Sequence, residues 1–210
     1  MIMLNRIKHI SLLFLAALVL TACSDNNQPT EGVQYKTLAK SLTSYQLPEV
    51  TEVFALTCGH CRTMESVIPQ LQEQTGKTFG KLHVTFNDSA QISAFIFYTA
   101  MMQLNDIPDH DFMNELFAAV QMGPEVSGVE KQQALEAAFE KRGLVSPYQL
   151  EKAQQEKMFE LFQNADEISQ VAQINSVPTF IVNGKYQVIT SAHQNAEEIG
   201  NTIKFLLSKP

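Results

Sequence analysis

The sequence predicts an α/β protein in which a block of helices interrupts a small, helix-covered sheet. Three observations carry that prediction. Val50 to Leu56 reads as a strand that is apolar on both faces, and it leads straight into Cys58-Gly59-His60-Cys61, after which the pattern turns helical. From Ser89 to about Gln163 apolar residues recur at helical spacing with no strand signal. Ser176 to Ile189 then reads as two short strands around Asn183-Gly184, a dipeptide suited to a tight hairpin turn. The predicted order is βαβ, a helical block, then ββα.

At the start of the chain, Arg6 and Lys8 precede an apolar run from Leu12 to Leu20, and no acidic residue occurs before Asp25. The run is too short to span a bilayer and fits the apolar core of a signal peptide. It ends in Leu20-Thr21-Ala22-Cys23, where small residues before a cysteine resemble the lipobox of bacterial lipoproteins. Residues 1–22 are therefore expected to be a lipoprotein signal peptide, with Cys23 acylated as the first residue of the mature chain. The alternative is an ordinary signal peptide, which leaves the third cysteine a loose thiol in an exported protein. With Arg6 and Lys8 gone, the 15 basic residues fall to 13 against 22 acidic ones, a net charge of −9 with His neutral. That acidity argues against nucleic-acid binding. Ser24 to Glu31 is polar, and residues 23–32 are expected to form a flexible tether.

Val33 to Leu38 suits a short edge strand. In Val50 to Leu56 only Glu52 breaks the apolar pattern; it shares a face with Val50, Phe54 and Leu56, so it is expected to be buried rather than to reach solvent at a strand end. The helix after Cys61 continues to about Gln74 on Met64, Val67, Ile68 and Leu71, with a kink expected at Pro69. Lys81 to Phe86 alternates as a strand with Leu82, Val84 and Phe86 facing one way. The helical block divides into Ser89 to Gln103, Asp111 to Gln121, Val129 to Lys141, and a long helix from Ser146-Pro147 through Phe162. Asp166 to Ile174 reads as a further helix, and Asn195 to Leu207 as a last one burying Ile199, Ile203 and Leu206. The sheet domain is thus drawn over residues 33–88 and 164–210, with an all-helical domain, 89–163, inserted.

A C-x-x-C pair serves metal binding or redox chemistry. Structural zinc usually needs four ligands, and His9, His83, His110 and His193 are scattered without ligand spacing. A strand entering the motif and a helix leaving it favour redox chemistry. A sulfur at the helix start faces unpaired N–H groups and the positive end of the helix dipole, and His60 adds a neighbouring cation. Both favour the Cys58 thiolate, the form that attacks or leaves in disulfide exchange. Cys61, one turn on, is expected to point inward and to resolve mixed disulfides. A buried Glu52 could relay protons or tune the cysteines, and Lys81 is its candidate partner, unless it is simply a solvated lysine.

These features together resemble the DsbA family of periplasmic thiol:disulfide oxidoreductases, whose members have a thioredoxin-like fold with an inserted all-helical domain. The residues carrying the likeness are Glu31 to Leu38, the cysteine motif, Lys81 to Phe86, and Val177 to Val188. The resemblance implies that Pro178, preceded by Val177, is cis and packs beside the disulfide, and that Glu52, six residues before Cys58, is a buried acid with Lys81 nearby. One position departs: Gly59 stands where the DsbA motif has proline, and Gly-His is the dipeptide of protein disulfide isomerase. Typical potentials are about −120 mV for DsbA and −180 mV for the isomerase, so this position bears on oxidant strength. The DsbA family is usually soluble, whereas Cys23 implies a lipid anchor.

The expected function is donation of the Cys58–Cys61 disulfide to exported polypeptides, with reoxidation by a DsbB-like quinone-linked membrane protein, as the resemblance implies. An isomerase or reductase, or a non-enzymatic peptide-binding chaperone, are the alternatives. The short lead from Ser24 to Leu47 leaves little room for a dimerisation domain, so a monomer is expected. Neither a metal nor a nucleotide cofactor is called for. Without the aspartate that marks inner-membrane retention in many bacteria, Ser24 leaves the choice between the two membranes of the periplasm open.

Overall fold

A computed structural model describes residues 28–209. The expected signal peptide and Cys23 lie outside the described residues. Of the expected tether, Thr30 to Gly32 is tied into the turn before the first strand: Gly32 N–H donates to Tyr35 O and the Thr37 hydroxyl to Glu31.

Five strands form one sheet: β1 (Tyr35–Thr37), β2 (Val50–Phe54), β3 (Gly80–His83), β4 (Thr179–Val182) and β5 (Tyr186–Val188). Their spatial order is β1-β5-β4-β2-β3, with β2 and β3 parallel and the other pairs antiparallel. All five residues of β2 are buried, as its apolar sequence requires. The parallel register sets Glu52 beside Lys81, and the antiparallel one sets Glu52 beside Phe180. The β4–β5 turn has Asn183 and Gly184 at φ +53° and +61°, the left-handed pair that Asn-Gly tolerates.

The helices are α1 (Gly59–Glu65), α2 (Ile68–Thr75), α3 (Asp88–Leu104), α4 (His110–Val120), α5 (Gly128–Glu140), α6 (Lys152–Val171) and α7 (Ala196–Leu207). They cover the sheet on both faces. One core packs Val50, Phe180 and Val188 under α2 and α7, through Leu71, Ile199 and Ile203. The larger core joins Val53, Leu82 and Ile181 to the helical block, where Phe54 meets Phe97 and Phe117 edge to face.

Four expectations need correcting. The helix after Cys61 does not kink at Pro69 but breaks: α1 ends at Glu65 and α2 begins at Ile68. A proline ring clashes with the carbonyl four residues back, here Glu65, and lacks the N–H that would bond it. The chain restarts with Pro69 in the first turn, where no N–H is needed. Strand β3 stops at His83, so Phe86 lies past it and is exposed rather than sharing the face of Leu82 and Val84. Ser146-Pro147 caps only a short 3₁₀ turn, Pro147–Gln149; Leu150 is extended and Glu151 caps the true start of α6. The helices expected on either side of residue 164 are one, because no glycine or proline interrupts 152–171.

Candidate active site

The motif is built as a helix cap. Cys58 has extended backbone angles and is the N-cap of α1, and its Sγ accepts the Cys61 N–H at 3.1 Å. Gly59 and His60 are exposed in the first turn, Cys58 is half-buried and Cys61 is fully buried. The two cysteines are unbridged.

Across from them the Val177–Pro178 peptide is cis, and the Val177 carbonyl lies 3.7 Å from Cys58 Sγ. This turn is pinned from behind, where the Thr190 hydroxyl donates to Pro178 O at 2.6 Å and the Thr179 hydroxyl to Val188 O at 2.5 Å. A groove of about 760 Å³ runs beside it, lined by His60, Met64, Val177, Pro178, Ile189 and Ile199 among others.

The sulfurs are driven apart electrostatically. The Cys58 thiol, ordinarily near 9.0, is lowered to about 6. The hydrogen bond from the Cys61 thiol is the largest cause; burial opposes it, and the Cys61 N–H, the His60 charge and the His60 N–H assist. His60 therefore contributes less than its place in the motif suggested. Cys61 is pushed far up, first by that same hydrogen bond, then by burial, with the Cys58 and Glu52 charges adding to it.

Beneath Cys61 lies a charged cluster sealed from solvent. Lys81 Nζ sits 2.5 Å from Glu52 and 2.6 Å from Glu65, with side-chain exposures of 6 % for the lysine and 1 % and 3 % for the acids. Glu52 Oε1 has no hydrogen-bond partner. Burial, the largest influence, pulls the Lys81 pKa down, but the two carboxylates outweigh it and the ammonium is held above its usual value. Glu52 is nevertheless raised, chiefly by burial and despite Lys81. The two directions agree once charge is counted: one ammonium balances one of two carboxylates, and burial of the surplus negative charge favours the neutral form of Glu52.

The sequence pointed to Glu52 and Lys81, and the structure brings them together. It missed Glu65, His110, His83 and Gln121. Glu65 stands four residues after the inward-facing Cys61, and that spacing on a helix was the signal that could have found it. His110 Nδ1 lies 3.1 Å from the other Glu65 oxygen. His83 is wholly buried, and burial lowers its pKa to about 4. It donates from Nδ1 to Val84 O at 2.7 Å, so its neutral Nε2 accepts the Leu56 N–H at 2.8 Å. Gln121, at the end of α4, donates to Leu56 O at 2.7 Å and Cys58 O at 3.1 Å. The loop that carries the motif is thus held from both sides.

A sheet with the order found here, a C-x-x-C cap on its first helix and a cis-proline turn facing it define a thioredoxin-type protein with an inserted helical block. The family model described as Thioredoxin (Thioredoxin_4) matches residues 47–204, and the chain belongs to that family. No curated protein matches the sequence significantly. Among solved structures, DsbA from Xylella fastidiosa superposes with a TM-score of 0.67 at 19% identity, over 86% of this chain and 96% of that one. A single-site variant of Pseudomonas aeruginosa DsbA gives 0.64 at 22%, over 86% and 97%. Proteus mirabilis DsbA, solved with a non-covalently bound peptide, gives 0.62 at 17%, over 87% and 100%. These likenesses establish the shared fold.

Proposed function

We propose that this protein is a DsbA-like thiol:disulfide oxidoreductase that donates its Cys58–Cys61 disulfide to exported polypeptides. The observation that carries the reading is the opposite displacement of the two thiols, Cys58 lowered to about 6 and Cys61 raised. A thiolate so stabilised favours the reduced pair, which makes the disulfide a stronger oxidant.

In the proposed cycle a substrate thiolate attacks Cys58 Sγ of the disulfide. The sulfur–sulfur bond breaks and its electron pair goes to Cys61, which takes up a proton; its supply is assigned to Glu52, whose neutral form burial favours. A second substrate thiolate then attacks the substrate sulfur of the mixed disulfide, and Cys58 leaves as a thiolate. The substrate has lost two electrons and the Cys58–Cys61 pair has gained them. A DsbB-like quinone-linked membrane protein would restore the disulfide. The groove beside Pro178 would hold the polypeptide, which fits the peptide seen on the Proteus mirabilis protein. The acylated Cys23 and a periplasmic location, on either membrane, belong to this proposal.

The test is equilibration of the full mature chain with glutathione buffers, paired with oxidation of a dithiol peptide. The expected potential lies well above the about −230 mV of glutaredoxins, and Cys58→Ser abolishes peptide oxidation. A value near or below that of thioredoxin, about −270 mV, would overturn the oxidase reading in favour of a reductase. Peptide-holding activity that survives Cys58→Ser, with no oxidation by the wild type, would point instead to a chaperone.

A further inference from the structure

The buried cluster under Cys61 does not end at Glu65. Glu65 accepts from Lys81 Nζ on one oxygen, at 2.6 Å, and meets His110 Nδ1 on the other, at 3.1 Å. Asn114 Nδ2 lies 3.0 Å from His110 Nε2, and an amide N–H there makes Nε2 the acceptor and leaves the proton on Nδ1, aimed at Glu65. The result is an unbroken series of hydrogen bonds, Glu52–Lys81–Glu65–His110. Its inner end is the unpartnered Oε1 of Glu52, which in its carboxylate form raises the Cys61 thiol. Cys61 is inaccessible, and the series first reaches water at His110, whose side chain is 41 % exposed.

We propose that His110 is the port through which the proton exchanged at Cys61 passes between this buried series and solvent. The inference rests on the oxidoreductase reading and deepens it. When Cys61 leaves the disulfide as a thiolate, it takes the proton of Glu52. Lys81 then passes a proton to Glu52 as it takes one from Glu65, Glu65 takes one from His110, and His110 takes one from water. Glu52, Lys81 and Glu65 return to their starting states, His110 takes its proton on Nε2 and regains the Nδ1–H tautomer by exchange with solvent, and one proton has moved from solvent to Cys61. Reoxidation runs the series backward, because Cys61 must lose that proton before it can attack. His110 touches neither sulfur, so it is a positioning residue: it holds the exchangeable proton beside Glu65. The charged groups around it are Glu65 of α1 and Lys81 of β3 behind it. From the start of its own helix come Asp109 and Asp111, and Arg142 lies 4.0 Å from Asp109.

The test isolates the step in which Cys61 reacts. The reduced full mature chain is mixed with glutathione disulfide, quenched with acid at intervals, and the Cys58–glutathione intermediate is followed by mass spectrometry. Formation of the intermediate reports attack by Cys58, and its decay reports attack by Cys61. His110→Ala and His110→Gln are expected to leave formation unchanged and to slow decay about tenfold, less than the roughly 10²–10⁴-fold of groups that exchange protons with the reacting atom directly, because His110 acts through the series. Imidazole in the buffer should restore decay in both variants and leave the wild type unaffected. His110→Gln keeps an N–H for Glu65 but carries no titratable proton, so decay at the wild-type rate in that variant would reduce His110 to a hydrogen-bond prop and overturn the proposal. So would unchanged decay in His110→Ala, or the lack of imidazole rescue. Should the wild type itself fail to exchange with glutathione disulfide, the oxidoreductase reading falls and takes this one with it; normal exchange with unaffected variants removes this inference alone.

Discussion

Cys58 and Cys61 are one helical turn apart, yet they occupy different kinds of protein. Cys58 faces the cis-proline turn, half in water, with N–H and S–H donors converging on its sulfur. Cys61 looks inward onto Glu52, whose companions Lys81 and Glu65 are as sealed as it is. The first region lowers a pKa with hydrogen bonds at a helix start. The second raises one first by the hydrogen bond its thiol gives Cys58, then by withholding water and adding negative charge. Two identical side chains become nucleophile and latent thiol because the cap position turns one out and the following turn folds the other in.

The largest test of this contrast is Lys81→Met. It leaves two buried carboxylates without their cation, and removing one partner from a buried pair costs about 3–5 kcal/mol. Urea unfolding at pH 7 should show that loss. The loss should shrink as the pH falls and the carboxylates take up protons. A change within error at pH 7 would mean the cluster is solvated and the contrast is false.

Next comes the pH dependence of the reduced form. The Cys58 pKa is depressed from about 9.0 to about 6 on folding, so its contribution to stability is complete above pH 9, declines as pH falls, and is gone below pH 6. Three units correspond to about 4 kcal/mol, and the half-exposed sulfur argues for about half of that. The disulfide form lacks this titration. The stability of the reduced protein relative to the oxidised should therefore drop by about 2 kcal/mol between pH 9 and 6, measured by parallel urea curves. In the same window Cys61→Ala should raise the Cys58 pKa more than His60→Ala does, read from thiolate absorbance. The reverse order would return the leading role to His60.

A smaller effect is expected at Gln121. Gln121→Leu removes two hydrogen bonds to the carbonyls of Leu56 and Cys58, and losses of about 1–2 kcal/mol are usual for such groups. Faster hydrogen exchange at Leu56 to Cys58 should accompany it. Unaltered exchange there would mean that His83 alone fixes the loop.

The outward-facing half of the site was legible in the sequence, because it is local. Four consecutive residues, a strand before them and Val-Pro before an Asn-Gly hairpin announce it without any knowledge of distant contacts. Glu52 and Lys81 were legible as a charge misplaced in an apolar strand and a lysine opening the next one. Glu65, His110, His83 and Gln121 were not. Each looks like an ordinary surface residue of its own element and acquires a role only from what folding sets beside it: His110 is 45 residues from Glu65, and Gln121 is 63 from Cys58. The helix boundaries failed where one local signal met another. Pro69 reads as a bend because the apolar spacing continues past it, and Ser146-Pro147 as a long start because Ser before Pro suits any helix opening, whereas here it opens a single 3₁₀ turn and the Ser146 hydroxyl has no partner.

One element works as a lever. The first half of α6 lies on the helical block, where Met158 is buried and Phe162 stacks on Phe95 at 4.6 Å. Its second half lies against the sheet side, through Ala165 and Ile168, with Asp166 bonded to Thr85 and Glu167 to Tyr45. Nothing between them acts as a swivel, so the two halves share a single rotational phase. An extra residue anywhere between 159 and 164 would turn everything beyond it by about 100°, swinging Ala165 and Ile168 out of contact. The helix therefore locks the rotational phase of the helical block to Thr85, just past β3, and to Tyr45, and a change of length within it breaks that lock.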